Sequence, residues 1–261
     1  MSNSRRDFLK GSCALLGAGA LVPAAASLAR ASGGEDKPAP TGPRYALIID
    51  VHKCLAAGDC TACTQACHGA HNVPSIPEKN HEVKWIWKES FRHTFPTQVH
   101  EYSAQTLVDR PALVLCNHCT NAPCVKVCPT QATFKRPDGL VAMDMHRCIG
   151  CRYCMAACPY GARHFNWAKP SVPAEKLNPD THYLGNRPRP AGVVEKCTFC
   201  IHRTRQGRYP ACVEACPVGA RKFGNMLDPK SEIRYVLENK RVFLFKEELN
   251  TQPRFYYFYG T

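Results

Sequence analysis

The chain has 261 residues, with 17 cysteines, 21 prolines, 17 glycines and a formal charge of +13. This length allows one large domain or two small ones. The cysteine content predicts a chain folded around groups that sulfur binds, and the many prolines and glycines favour short elements and loops over one large continuous core.

The amino-terminal segment has the pattern of a twin-arginine export signal. Residues 4–10 read Ser-Arg-Arg-Asp-Phe-Leu-Lys, and an uncharged stretch rich in Ala, Leu and Gly follows over 11–29. A small-residue cleavage site lies at 29–31. The apolar stretch is short and broken by glycines, which disfavours a membrane span, with an uncleaved anchor as the alternative. We predict a signal peptide over residues 1–31 and export to the periplasm.

A strand predicted over 45–51 leads to the first cysteine group, which has wide spacing. Five, two and three residues separate its members, and Gly58 can supply the positive φ that the long first gap needs. This Cys54 group consists of Cys54, Cys60, Cys63 and Cys67. Residues 63–68 read Cys-x3-Cys-His, which is one residue longer than the Cys-x2-Cys-His pattern of a haem c attachment site. Attachment of a haem there would leave Cys54 and Cys60 without a role. We therefore expect His68 and His71 at the surface or beside the cysteine site.

The stretch 72–110 contains no cysteine. Within it, residues 83–88 alternate apolar and basic side chains as an exposed edge strand would, and Phe91, Phe95 and Tyr102 follow at irregular spacing. Two interpretations stay open. The stretch is either an insert that covers a metal site or a docking surface rich in aromatic residues.

A short strand over 113–115 precedes the Cys116 group, and a hairpin is predicted over 133–144. The hairpin leads to the most specific motif of the chain, Cys-x2-Cys-x2-Cys-x3-Cys-Pro at 148–159, which is the bacterial pattern for a [4Fe–4S] cluster. Three thiolates converge on one cluster, and the fourth lies one turn into a short helix that Pro159 ends and reaches a second cluster. The two groups are Cys116, Cys119, Cys124, Cys128 and Cys148, Cys151, Cys154, Cys158. With a returning strand over 162–167, this repeated unit is typical of a two-cluster ferredoxin.

The remaining third of the chain carries the last cysteine group. Proline-rich residues 168–191 predict a loop, and a strand over 220–226 and a helix over 231–239 follow the group. The Cys197 group consists of Cys197, Cys200, Cys212 and Cys216, and its eleven-residue gap is expected to form a solvated basic loop. The apolar runs 242–245 and 255–259 must be covered by the fold or by a partner.

Four groups of four account for every cysteine except Cys13, which lies in the predicted signal peptide. These groups favour four [4Fe–4S] clusters. A mixture with one [3Fe–4S] cluster or zinc stays open, because the Cys197 group alone also has the paired arms of a zinc site. Disulfide bonds are a disfavoured alternative, because they do not require the close Cys-x2-Cys-x2-Cys spacing. An enzyme with an open iron is a further alternative, although no other catalytic arrangement stands out.

Metal–sulfur clusters would change the meaning of the basic composition. Without the signal peptide the formal charge is +10, and each cluster with its thiolates contributes about −2. We therefore expect no nucleic-acid partner. Five basic residues near the cysteines are candidates for raising cluster potentials, ordinary surface charge being the alternative: Lys126, Arg147, Arg152, Arg163 and Lys196.

The four groups in this order resemble the four-cluster ferredoxin-like electron-transfer subunits of the dimethyl sulfoxide and polysulfide reductase type. The resemblance implies an α+β fold of two pseudo-symmetric bacterial-type ferredoxin units with loop insertions and a C-terminal tail. It also implies crosswise ligand sharing, in which three cysteines of one group are completed by one cysteine of another. The implied sets are Cys54, Cys60, Cys63 with Cys216; Cys197, Cys200, Cys212 with Cys67; Cys116, Cys119, Cys124 with Cys158; and Cys148, Cys151, Cys154 with Cys128. The family usually has two residues where this chain has five after Cys54, so the type of that cluster stays open.

This resemblance divides the chain into seven segments. The predicted boundaries are 1–31 for the signal peptide, 32–43 for a linker, 44–72 with 192–225 for ferredoxin unit 1, 73–109 for an insert, 110–167 for ferredoxin unit 2, 168–191 for a proline-rich loop and 226–261 for a C-terminal packing or partner segment.

Within the family, residues 85–87, the 148–167 segment and the chain's own export signal are similar to the DsrO-like periplasmic subunits of DsrMKJOP sulfur-metabolism complexes. That similarity implies an NrfD-type integral membrane partner that interacts with quinol, and a multihaem cytochrome c or other redox subunit. The protein would then be held at the periplasmic side of the membrane through its partner. The alternatives are a beta subunit of a periplasmic molybdopterin reductase or hydrogenase, and a zinc-binding interaction module.

Overall fold

The computed structural model of this protein describes residues 42–260. The predicted signal peptide, its Cys13 and nearly all of the predicted linker lie outside these residues. The described part mixes short helices and strands, which is the predicted α+β class. No helix within it is long and apolar enough to cross a membrane.

The strands are β1 (Tyr45–Asp50), β2 (Ile86–Ser90), β3 (Pro111–Leu115), β4 (Thr133–Lys135), β5 (Val141–Met143), β6 (His164–Phe165), β7 (Val194–Glu195), β8 (Arg221–Asn225), β9 (Val242–Phe243) and β10 (Phe255–Phe258). The α-helices are α1 (Val51–Ala56), α2 (Ala62–Ala70), α3 (Phe91–Thr94), α4 (Gln105–Val108), α5 (Pro123–Lys126), α6 (Tyr153–Ala156), α7 (Ile201–Thr204), α8 (Ala211–Glu214) and α9 (Glu232–Asn239). Single 3₁₀ turns occur at Pro96–Gln98, Ala174–Lys176 and Glu247–Leu249.

A four-stranded sheet in the order β8-β1-β10-β9 lies at the centre of the main core. β1 pairs antiparallel with β8 and parallel with β10, with Leu47 opposite Phe255. The second C-terminal apolar run therefore becomes an interior strand, and Phe255 and Tyr257 are buried. The fold itself covers this run, so no partner is needed to remove it from water.

Helix α9 covers one face of this sheet, as its predicted apolar stripe requires. Ile233 and Val236 are buried against Ala46, Ile48 and Phe258. Glycine at position 224 of β8 permits the close approach, because a Cβ there would meet the Ile233 side chain and the hydroxyl of the residue before the helix.

The insert mostly covers the core, although its Tyr102 is exposed. β2 pairs only with β3 within the described residues and is therefore an edge strand, as predicted, but Trp85 and Ile86 are buried, so the predicted exposure is wrong. The indole Nε1 of Trp85 donates a hydrogen bond to Oε2 of buried Glu195 at 2.8 Å, which is why a residue flanked by lysine turns inward. Phe91 and Phe95 are also buried, which supports the covering interpretation.

Three local predictions are confirmed in part. The hairpin forms as β4 and β5, but the returning strand β6 pairs with β7 instead of with the hairpin. Helix α6 ends at Ala156, so Cys158 lies beyond the helix and not within it. The expected basic loop between Cys200 and Cys212 contains the short helix α7, whose Ile201 is buried.

Candidate iron–sulfur centres

A cavity of about 280 Å³ lies between α1, the start of α2 and the turn after α8. Four cysteines line it, and we call them the first centre: Cys54, Cys60, Cys63 and Cys216. Burial, followed by the charge of Cys63, raises the pKa of Cys54 to about 11. Lys88 and Arg221 also line this cavity, so cationic groups face the thiols.

The second centre is enclosed where α2 packs against α8. Its four cysteines are all buried: Cys67, Cys197, Cys200 and Cys212. Burial and then the charges of the other three thiols raise the pKa of Cys67 well above its ordinary value. His71 is buried with its Nε2 at 3.3 Å from Sγ of Cys200, so it lies beside the site and not at the surface. Burial lowers the pKa of His71 well below its ordinary value.

The third centre lies between the loop after β3 and the turn after α6. Its cysteines line one small cavity: Cys116, Cys119, Cys124 and Cys158. Burial raises the pKa of Cys119 to about 12, and the hydrogen bond from Thr251 opposes this shift. The charges of the other three thiols act on Cys119 in the same direction as burial.

The fourth centre is the least enclosed. Cys128, Cys148 and Cys154 belong to one small apolar cluster with Ala132 and Val194, whereas Cys151 is exposed. Burial opposes ionisation of Cys128, but hydrogen bonds to its sulfur, led by the one from the backbone N–H of the residue that begins β4, lower its pKa. The structure therefore brings three members of the predicted set together and leaves the fourth facing solvent.

The backbone between the cysteines adopts left-handed conformations that ordinary residues avoid. His118 (φ 42°), Arg152 (φ 63°) and Phe199 (φ 59°) lie between ligand positions, and Gly58 (φ 62°) has the positive φ predicted for the wide first gap. Each such non-glycine residue costs on the order of 1–3 kcal/mol and persists where surrounding interactions compensate for it. Loops bent in this way around thiols fit a bound cluster.

Burial divides the basic residues near the thiols into two classes. Lys126, Arg147 and Arg152 are exposed, whereas Arg163 and Lys196 are buried. Arg221 is a further buried cation, and it is absent from the candidates that the sequence suggests. Its signal is a repeated motif, because Cys-Pro-x-Gly-Ala-Arg occurs at both 158–163 and 216–221.

The buried cations provide a test of whether the sites fit a negatively charged group. Nε, Nη1 and Nη2 of Arg221 have no oxygen or nitrogen acceptor within residues 42–260, and the groups that interact with this buried guanidinium are cysteine thiols, Cys212 first. A buried charge without a partner is costly by several kcal/mol. A buried guanidinium that faces these thiols is complementary to an anionic iron–sulfur cluster held by them.

Known proteins similar to this chain include iron–sulfur subunits. A family described as the 4Fe-4S dicluster domain matches residues 112–189 and 185–226. The "Hdr-like menaquinol oxidoreductase iron-sulfur subunit 1" of Archaeoglobus fulgidus is 40% identical over 242 residues, covering 82% of this chain and 82% of that protein. A tetrathionate reductase subunit of Salmonella typhimurium is 36% identical, covering 98% and 88%. The "Menaquinone reductase, iron-sulfur cluster-binding subunit" of Nitratidesulfovibrio vulgaris is 36% identical, covering 82% and 88%.

Proposed function

This chain belongs to the iron–sulfur electron-transfer subunits of oxidoreductase complexes, and from that premise we propose that it conducts electrons through four [4Fe–4S] clusters. It is an electron-transfer subunit and not the catalytic subunit of its complex. The proposed donor or acceptor at one end is a quinol-interacting NrfD-type membrane subunit. At the other end we propose a multihaem cytochrome c or another redox subunit.

The proposed ligands of each cluster are the members of the first, second, third and fourth centres. For the first three centres, the four cysteines line one cavity or act on one another's charge. The fourth centre takes exposed Cys151 as its remaining ligand. In this arrangement Cys216 completes the first centre and Cys67 completes the second, so each comes from the sequence group of the other centre. In the same way Cys158 completes the third centre and Cys128 completes the fourth.

The order of the centres is the observation that carries the proposal. The charge of Cys63 in the first centre raises the pKa of Cys212 in the second, although burial is the larger cause. The charge of Cys116 in the third centre likewise raises the pKa of Cys197 in the second, and burial is again the larger cause. The charge of Cys124 in the third centre also raises the pKa of Cys154 in the fourth, where burial is the largest cause.

These three charge interactions link neighbouring centres and support one series from first to fourth. When bound, such clusters accept and release single electrons at potentials set by charge, solvent exposure and hydrogen bonds to sulfur. A series of neighbouring redox groups suits transfer through a protein better than chemistry at one site. The burial that raises the thiol pKa values also means that cluster insertion must release protons from the cysteines.

We further propose that the molecule consists of two pseudo-symmetric ferredoxin units with the boundaries predicted above. Unit 1 combines the Cys54 and Cys197 groups, and unit 2 combines the Cys116 and Cys148 groups. The support is the repeated turn at 158–163 and 216–221. Gly161 (φ 62°) and Gly219 (φ 60°) bend both turns in the same way.

The proposed partner is supported by the relatives, and the proposed location by the amino-terminal sequence. Two relatives are named for menaquinol or menaquinone, which supports a partner that exchanges electrons with quinol. The twin-arginine pattern supports export to the periplasm and attachment there through the membrane partner. We place the complex in sulfur metabolism. A beta subunit of a molybdopterin reductase is the second candidate, since one relative belongs to a tetrathionate reductase.

The first test is the iron and sulfide content of the anaerobically purified protein. About sixteen irons and sixteen sulfides per chain and a brown colour are expected, because each cluster holds four of each. The Cys151→Ala variant should alter the EPR signal of one cluster and leave the other three. A colourless protein, or zinc in place of iron, would end the electron-transfer proposal.

A second experiment tests the partner and the location. Fractionation should find the full chain in the periplasm or bound to a membrane complex on its periplasmic side, and replacement of Arg5 and Arg6 by lysine should retain it in the cytoplasm. A quinol analogue should reduce the clusters only in the solubilised complex and not in the isolated subunit. Reduction of the isolated subunit at the same rate would argue against a quinol-interacting partner.

A further inference from the structure

The repeated Cys-Pro-x-Gly-Ala-Arg turn delivers an arginine to an equivalent place in both proposed units. Gly161 N–H donates to the carbonyl of Cys158 at 3.3 Å, and Gly219 N–H donates to the carbonyl of Cys216 at 3.3 Å. Because these turns have the same geometry, the arginine five residues after each cysteine enters the interior. Both side chains are nearly inaccessible, at 3% exposure each.

Arg163 lies between the third and fourth centres. Its Nη2 donates to Sγ of Cys124 at 3.0 Å, and its Nη1 donates to Oγ1 of Thr133 at 2.9 Å. Burial lowers the pKa of this guanidinium, but nearby thiol charges raise it overall. These charges belong to Cys124, Cys154 and Cys116, so they come from both centres.

Arg221 has the same position between the first and second centres. Burial lowers its pKa, and four thiols raise it overall: Cys212, Cys63, Cys67 and Cys54. Its guanidinium stands over the ring of Phe255, 5.6 Å from the centroid, and its three side-chain nitrogens have no oxygen or nitrogen acceptor within the described residues. The anionic groups that surround this cation are thiols of two centres.

The remaining junction also has a buried cation. Lys196 is 2% exposed, and its Nζ donates to the carbonyl of Cys197 at 2.8 Å and to that of Val141 at 2.5 Å. Burial and the charge of Cys116 raise the pKa of Cys197, and the charge of Lys196 opposes them. Lys196 therefore lies where the second centre meets the third.

One buried cation thus stands at each junction of the series. A cluster becomes more negative by one charge on reduction, so a fixed cation in a low-dielectric interior favours the reduced state. A cation shared by two clusters favours reduction of both. It therefore raises the potentials of both clusters together and leaves the difference between them unchanged when it lies equally near both.

We propose that Arg221, Lys196 and Arg163 are potential-setting residues, each shared by the two clusters on either side of its junction. This inference rests on the proposed four-cluster function. The residues do not exchange electrons themselves; they act through the clusters. Exposed cations near the same ligands, such as Arg147, have their charge screened by solvent and contribute little.

The test is a redox titration followed by EPR on the full chain, with one cation replaced at a time. Signals of the end clusters are first assigned with the Cys54→Ala and Cys151→Ala variants. Arg221→Gln should make the first and second clusters harder to reduce, by about tenfold in the equilibrium constant, which is about 59 mV for one electron. Lys196→Gln should shift the second and third clusters, and Arg163→Gln the third and fourth.

Two conservative variants and a surface variant complete the design. Arg221→Lys and Arg163→Lys keep the charge and should restore most of each shift, even where the glutamine variant binds its clusters poorly. Arg147→Gln removes an exposed charge one residue before Cys148 and should shift no potential by more than about twofold in the equilibrium constant.

Overlapping pairs of shifts are the signature of shared cations, because loss of packing alone would not move the potentials of two specific neighbours. Equal shifts in all four clusters, or unchanged potentials in fully loaded glutamine variants, would overturn the inference. A wild-type protein without iron and sulfide would instead overturn the proposed function, so the two failures are distinguishable.

Discussion

The second and fourth centres are built from the same residue type but occupy opposite environments. All four cysteines of the second centre are buried, and Cys67, Cys197 and Cys212 belong to the main hydrophobic core. In the fourth centre only Cys154 is buried, within a small separate cluster, and Cys151 is exposed.

This difference indicates that the second centre is part of the hydrophobic core, whereas the fourth centre is attached to that core. The second centre lies among the helices and strands that hold the two ends of the described part of the chain together. Three cysteines of the fourth centre lie in a local loop and a single short helix, whose side chains Ile149 and Tyr153 are exposed. Loss of the second centre should therefore affect the whole fold, and loss of the fourth should stay local.

The largest expected effect is that of Cys212→Ala compared with Cys151→Ala. Binding free energy of a structural metal site is folding free energy, so loss of the second centre should cost on the order of 5 kcal/mol or more. Cys151→Ala should change one EPR signal and leave the melting temperature almost as in the wild type. Anaerobic thermal unfolding with iron analysis checks both. Equal melting temperatures for the two variants would contradict the distinction between core and attached centres.

The next effect concerns the buried ion pair beside the second centre. Arg189 and Glu195 form a salt bridge at 2.6 Å, and Glu195 also accepts hydrogen bonds from Trp85 and from Asn166. Glu195→Gln leaves the guanidinium without its charge partner and should cost about 3 kcal/mol. The melting temperature should fall by roughly 6–12 °C.

Glu238→Gln is the matched control, because Glu238 pairs with Arg234 at the surface and its side chain is 54% exposed. Exposed pairs contribute about 0–1 kcal/mol, so this variant should melt within roughly 3 °C of the wild type. An equal loss in both variants would show that the buried network around Glu195 has no special role.

A smaller effect is expected in the order in which iron is lost. With a chelator and a mild oxidant, the fourth centre should lose its iron first, at a rate roughly tenfold above that of the second, because the second opens only with the surrounding core. EPR signals followed over time measure this order. Simultaneous loss from all four centres would indicate one cooperative unit and would remove the comparison.

Local patterns are sufficient to predict the parts of the fold that depend on neighbouring residues. The hairpin at 133–144, the strand β1 and the helix α9 follow from periodicity and turn residues, and all three are present. The cysteine groups and the positive φ of Gly58 also follow from spacing alone. In each case the interactions that decide the structure lie within a few residues of one another.

The rest depends on contacts between distant residues. Sequence periodicity does not show that β10 pairs with β1, because some two hundred residues separate Ile49 from its partner Tyr257. The alternating pattern places Trp85 on an exposed strand, and this prediction fails because its partner Glu195 lies in another part of the chain. Arg221 carries a detectable signal in the repeated turn, but its burial between two centres becomes visible only in three dimensions.

The smallest effect separates the pH dependence of the polypeptide from that of its clusters. His164 pairs with Glu195 across β6 and β7, and burial lowers its pKa to about 4. The unfolded chain, with a histidine pKa of about 6.5, binds a proton that the folded chain does not. Stability is therefore complete above pH 6.5 and falls as the pH drops toward 4. At pH 6 the loss relative to pH 7.5 should be ~0.8 kcal/mol.

His164→Phe should remove this loss, and anaerobic thermal unfolding at pH 7.5 and pH 6 measures it. The wild type should lose about 2–3 °C between these values beyond any change in the variant. Above pH 7 the two proteins should show parallel behaviour, which serves as the internal control. If the variant keeps the full pH dependence, the acid sensitivity must come from other groups, either His71, His118 and His202, whose pKa values burial also lowers, or the cysteine centres.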